Sequence, residues 1–111
     1  MKYTEPIRKN RDFLKLYRNG KFYVGKIMVI YVKSNKTEKN RLGVTTVKNF
    51  GNSVSRNRMR RLIKENYRLS EDKIEKGWDI VFSGRKTVNI PSFKEIEREM
   101  KYLFRKTGLI E

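Results

Sequence analysis

The sequence predicts an α+β fold, one domain over residues 1–111 in which helices pack on a single sheet in the order α-β-β-β-α-β-α. Three observations lead there. Apolar residues fall in alternating blocks of helical and strand periodicity with turn signals between them, as expected of helices laid on a sheet. They are clustered although the hydrophobic content is only 37%, which separates the chain from disordered sequences. A length of 111 residues suffices to bury a core without a metal or disulfide staple.

After a short basic arm, "NRDFLKLYRNG" predicts the first helix, with Asn10 or Asp12 as its cap and Gly20 ending it in a left-handed conformation. Phe13 and Tyr17, four residues apart, share one face. They are either core residues or a stacking platform for bases. A short strand is expected around Phe22 to Val24, and "KIMVIYVK", Lys26 to Lys33, is rich in the β-branched and aromatic residues of a strand. The polar turn "SNKTEKN" then leads to "RLGVTTV", Arg41 to Val47, expected as the antiparallel partner of that strand.

Gly51 and Asn52 supply a turn and a cap, and a helix follows through Arg68. "SEDKIEKG" is a polar, capped stretch, and "WDIVFS", Trp78 to Ser83, reads as another strand. In the last helix, "SFKEIEREMKYLFRKTG", Ser92 and Glu95 form a capping box and Gly108 supplies the stop, while Phe93, Ile96, Met100, Leu103 and Phe104 make the apolar stripe.

The charge sets the functional question. Twenty-eight Lys and Arg against 12 Asp and Glu give a net charge of +16, which no His titrates. Such an excess calls for nucleic acid or an anionic membrane as partner. No apolar run approaches the roughly 20 residues that cross a bilayer, and the N-terminus lacks the apolar core of a secretory signal. Together with the absence of Cys, this predicts a cytoplasmic protein.

The positive charge is densest in "GNSVSRNRMRRLIKENYR". At 100° per residue, Met59, Leu62, Ile63, Asn66 and Tyr67 share one arc, and Arg56, Asn57, Arg58, Arg60, Arg61, Lys64 and Arg68 occupy the rest. Arg56, Arg60, Lys64 and Arg68 form a row at i, i+4 spacing, about 18 Å long. Glu65 is the single acid, so ion pairing gains little there. Arg56 and Arg58 stand near the helix start, where the dipole disfavours cations. The arginine fork suits phosphate oxygens. A local rule broken without structural gain points to function, here the binding of a phosphate backbone.

Catalytic groups are sparse. With no His or Cys, bases and nucleophiles reduce to carboxylates, Lys, Tyr and hydroxyls. Asp79 stands alone in the sequence, and Glu95, Glu97 and Glu99 diverge around a helix and serve surface solubility. No phosphate-binding loop or dinucleotide fingerprint is present. These residues describe a binder.

The segment "KNFGNSVSRNRMRRLIKENYR" resembles the signature of the bacterial ribonuclease P protein family: Gly51, Asn52, Ser53 and Val54, then Arg56, Asn57 and Arg58, then Arg60, Arg61, Leu62 and Ile63. The resemblance extends to "RKNRDFLKLYRNG", "RLGVTTVKNFGN", "GWDIVFSGRK" and "MKYLFRKTG". Asn49 departs from it, since many members carry a second basic residue after Lys48.

The resemblance implies a two-layer α/β sandwich related to a domain of ribosomal protein S5, with a left-handed β-α-β crossover carrying the basic helix. It implies that a large catalytic RNA performs the hydrolysis and binds the Mg²⁺, no metal being assigned to the protein. The protein would stabilise the RNA fold and hold the 5′ leader of precursor tRNA. Phe13, Tyr17, Tyr31 and Lys48 would line the leader cleft, and the helix from Arg56 to Arg68 would face the catalytic RNA. No membrane or small-molecule partner is implied. A ribosomal or rRNA-assembly protein is the alternative. A helix-turn-helix DNA binder fits less well, because strands flank the basic helix.

Overall fold

The computed structural model describes residues 1–110. The chain forms β1 (Thr4–Pro6), α1 (Asn10–Asn19), β2 (Lys21–Val24), β3 (Met28–Ser34), β4 (Asn40–Thr46), α2 (Ser53–Ser70), a 3-10 turn at Glu71–Lys73, β5 (Trp78–Gly84) and α3 (Phe93–Thr107). The strands make one sheet in the order β1-β4-β5-β3-β2. β5 runs parallel to β4 and antiparallel to β3, so β4-α2-β5 is a crossover between neighbouring parallel strands.

Strand alternation sorts the side chains onto two faces. Met28, Ile30, Val32, Leu42, Ile80 and Phe82 point to one face, where they pack with Met59, Ile63 and Tyr67 of α2 and Ile96, Met100, Leu103 and Phe104 of α3. This is the main core and the sandwich proper. On the opposite face a smaller cluster joins Leu16 of α1 to Ile7 and Val81, with Phe13 and Tyr31 against it. α1 therefore covers only part of that face.

Both long helices start as their sequences dictate. Asn52 Oδ1 accepts from the Ser55 N–H at 2.9 Å, and Ser92 and Glu95 close their capping box. Gly108 ends α3 with φ 78°. The polar residue on the apolar arc of α2 is satisfied: the Asn66 amide donates to the carbonyls of Leu62 and Phe93, tying α2 to the start of α3.

Three expectations are corrected. β4 is not paired with β3: β5, from much later in the chain, lies between them, although β4 and β3 do run in opposite directions. The cap position of α1 is Lys9, whose side chain makes no capping hydrogen bond, not Asn10 or Asp12. Gly20 is extended, with φ −78°. It is required for space, since a Cβ there would lie 2.7 Å from the Leu16 carbonyl oxygen and 2.9 Å from that of Val32.

β1 has no counterpart in the sequence reading. Three residues ending in Pro give no strand signal, and long-range bonds hold the segment in place. It pairs with β4 in parallel. The Thr4 hydroxyl meets the Tyr67 hydroxyl at 2.8 Å. The N–H groups of Lys2 and Tyr3 donate to the buried Glu71 carboxylate at 2.9 and 3.2 Å. Burial pushes the Glu71 carboxyl up, but hydrogen bonding from the Thr4 hydroxyl and these two N–H groups, with the nearby N-terminal charge, outweighs it and holds it below the ordinary glutamate value.

Candidate RNA-binding surfaces

α1 crosses the open face of the sheet from β4 toward β2. Phe13 lies over Gly43 so closely that a Cβ there would come within 2.6 Å of its ring. The Tyr17 ring meets Tyr31 of β3 edge-on, centroids 4.8 Å apart, and lies 6.4 Å from Phe13. Phe22 on β2 follows, 5.9 Å from Tyr31. Burial among these rings pushes the Tyr17 phenol above its ordinary pKa, with Tyr31 adding to the effect.

Phe13 and Tyr31 are half-buried, and Tyr17 is 40% exposed. The rings thus close the smaller cluster and still present surface to solvent. Val29, Ser83 and Thr45 lie at one level of the sheet, two residues along from Tyr31, Val81 and Gly43. Half-buried on the same face, they form the floor beside the rings. Lys48 stands apart from the rings, exposed in the turn just beyond the ends of β4 and β5.

α1 is held in place by an ion network that sequence reasoning missed. Arg41 donates to Asp79 from Nε at 2.8 Å and from Nη2 at 2.6 Å, and reaches Asp12 of α1 at 3.4 Å. Asn35 adds a bond to Asp79 at 3.0 Å. Burial pushes the Asp79 carboxyl up, yet the bonds from Arg41 and Asn35 prevail and hold it below the ordinary aspartate value. The bond to Asp79 raises the Arg41 guanidinium in turn. The one available signal was an aspartate at the head of an apolar strand, which needs a buried partner. Glu99 was also misjudged as surface: its carboxylate accepts the N–H groups of Lys26, Ile27 and Met28, fixing the β2–β3 turn on α3.

The second surface is α2, on the opposite face of the sheet. Met59, Ile63, Asn66 and Tyr67 are buried, and Leu62 is partly so, as the helical arc requires. The regular cationic row is broken up. Arg56 folds back, half-buried, onto the Gly51 carbonyl and the Ser53 hydroxyl. Arg60, also half-buried, donates to Asn57. Arg68 pairs with Glu65 at 2.5 Å. Arg58, Arg61 and Lys64 are exposed, and none has a carboxylate partner among the described residues. These three are the free cations of the face.

Among the described residues, no group of three or more His, Cys, Asp and Glu side chains stands together as a metal site, and no helix is long and apolar enough to cross a membrane. Phosphate-seeking cations on one face and half-open aromatic rings on the other define an RNA-binding α/β protein.

Comparison with known proteins places it within that class. The family model for ribonuclease P matches residues 1–108. The ribonuclease P protein component of Clostridium botulinum strain Loch Maree is 45% identical over 104 residues, 93% of this chain and 94% of its own. That of Alkaliphilus metalliredigens is 43% identical over 110 residues, 99% of each chain. The RNase P protein of Staphylococcus aureus superposes with a TM-score of 0.85 at 27% identity, covering 96% of this chain and 97% of that one. The Thermotoga maritima RNase P protein gives 0.80 at 30% identity, covering 91% and 96%. The chain belongs to the ribonuclease P protein family, the protein subunit of the tRNA-processing ribonuclease P holoenzyme.

Proposed function

We propose that the protein holds precursor tRNA and catalytic RNA on opposite faces of its sheet. The 5′ leader lies along the cleft between α1 and the open sheet face, with bases against Phe13, Tyr17 and Tyr31 and its backbone near Lys48. The catalytic RNA lies along α2, its phosphates at Arg58, Arg61 and Lys64, with Arg56, Asn57, Arg60 and Arg68 shaping the surface. Hydrolysis, with the Mg²⁺ it needs, belongs to the RNA, in the cytoplasm where tRNA matures. The protein supplies affinity.

One observation carries this reading: three aromatic rings stay half-open beside an uncovered strip of sheet, on the face opposite the free arginines. Stacking on them tolerates any base at about 1–3 kcal/mol per base, which suits leaders of varied sequence.

Tyr17→Ala in the reconstituted holoenzyme tests it, because Tyr17 is the most exposed of the three rings. Affinity for precursor tRNA should fall by about 1–3 kcal/mol while mature tRNA, which has no leader, binds as before. Equal losses for both ligands, or none, would refute the cleft assignment. Protein freed of RNA should leave precursor tRNA uncut.

A further inference from the structure

Beyond the rings already assigned, a fourth lies at the sheet edge. Phe22 pairs with Tyr31 in the β2–β3 register, and Val24 pairs with Val29, so both point to the open face. They are 58% and 56% exposed. β2 is the edge strand, where an outward aromatic is a liability that proteins ordinarily replace with charge. α1 ends at Asn19 and passes through Gly20 directly into β2, so the helix does not extend over Phe22.

We infer that Phe22 is a further leader-contacting residue: its ring takes an additional base where the single strand leaves the cleft across β2. This rests on the leader-cleft reading above and extends it by one subsite. The ring continues a series already spaced at 6.4, 4.8 and 5.9 Å between neighbouring centroids from Phe13 through Tyr17 and Tyr31. Its surroundings select the occupant. From Phe13 to Thr37 the sequence holds six Lys and Arg and no Asp or Glu. An exposed aromatic amid unbalanced cations favours a ligand that offers π faces and negative charge together, which is single-stranded RNA. A second copy of this chain would bring the same cations to the contact and be repelled.

The test uses holoenzyme reconstituted with its catalytic RNA and precursor tRNAs bearing oligouridine leaders of increasing length. Phe22→Ala should match the wild type with mature tRNA and short leaders. It should then bind about five- to tenfold more weakly once the leader is long enough to cross β2, the lower part of the range for one stacked base. Phe22→Trp should restore binding, and melting temperatures should stay together because the ring is more than half exposed. An equal loss at every leader length, or no loss at any, overturns the inference. So does weaker self-association of Phe22→Ala in sedimentation with leader binding intact, which gives the edge to a second copy. Tyr17→Ala run in parallel separates the two readings: a leader-dependent loss there, with none at position 22, removes the subsite alone. No loss in either variant removes the cleft as well.

Discussion

The contact between Gly43 and Phe13 offers a steric test of how the cleft wall is seated. In Gly43→Ala the new Cβ would stand 2.6 and 2.7 Å from Phe13 Cε1 and Cζ, and 3.2 Å from a Val81 methyl. Carbon atoms rest at about 3.5–4.0 Å, so the ring must rise by about 1 Å toward the open side. Overpacking of this kind costs about 1–3 kcal/mol. The lower end applies because Phe13 is half-buried and free to move outward. Replacing glycine within a strand returns about 0.5–1 kcal/mol of backbone entropy. The net expectation is a small loss, at most about 0.5 kcal/mol or about 2 °C in melting temperature for a chain of this size. In a Phe13→Leu background the clashing ring atoms are gone, so the same substitution should become neutral or stabilising. Denaturant unfolding of the four proteins measures that change of sign. Leader binding by the reconstituted holoenzyme should follow the ring, weakening in Gly43→Ala while mature tRNA is unaffected. If Gly43→Ala costs the same with Phe or Leu at position 13, the strand itself resists a side chain there and the seating of Phe13 is refuted.

Other consequences are equally open to measurement. Replacing Arg58, Arg61 and Lys64 by Ala should leave melting unchanged and flatten the logarithmic salt dependence of catalytic RNA binding by about 2 to 3; an unchanged slope would show that α2 does not meet phosphates. Asn52→Ala should cost about 1 kcal/mol as a lost cap. Asn52→Asp should keep the cap and gain from the helix dipole, while its charge weakens RNA binding, so that stability and affinity part company. Asp79→Asn should cost roughly 2 kcal/mol at neutral pH, between the values for exposed and buried pairs. The native Asp79 carboxyl is more acidic than its ordinary value of 3.8, so its stabilisation is complete above that value and is lost as pH falls through the lower native one. Acid titrations of the wild type and Asp79→Asn should therefore converge once pH has fallen below that lowered native value.

What could be read from sequence was local. The helical arc of α2 held, down to the burial of Asn66, because a 3.6-residue period is written in the order of side chains. The caps at Asn52 and Ser92 held for the same reason. Strand order was not legible: Arg41 to Val47 follows β3 after a short turn, and the expected hairpin fails because β5, whose successive residues are buried on both faces of the sheet, takes the central place between them. Within the candidate sites, the signature placed the cations, but pattern alone could not show that Arg56 and Arg60 turn back on the helix start. The ambiguity of Phe13 and Tyr17 was physical too, since rings that both close a small cluster and face solvent carry the marks of each role.

The position of β5 also dictates the order in which the molecule can be completed. The central strand is among the last parts of the chain to leave the ribosome, and until Trp78–Gly84 has emerged, β3 and β4 have no shared neighbour. Domains fold as units during synthesis, and closing long loops ahead of their reward is slow. A nascent chain ending after α2 therefore displays its arginines on a helix with only part of its final support.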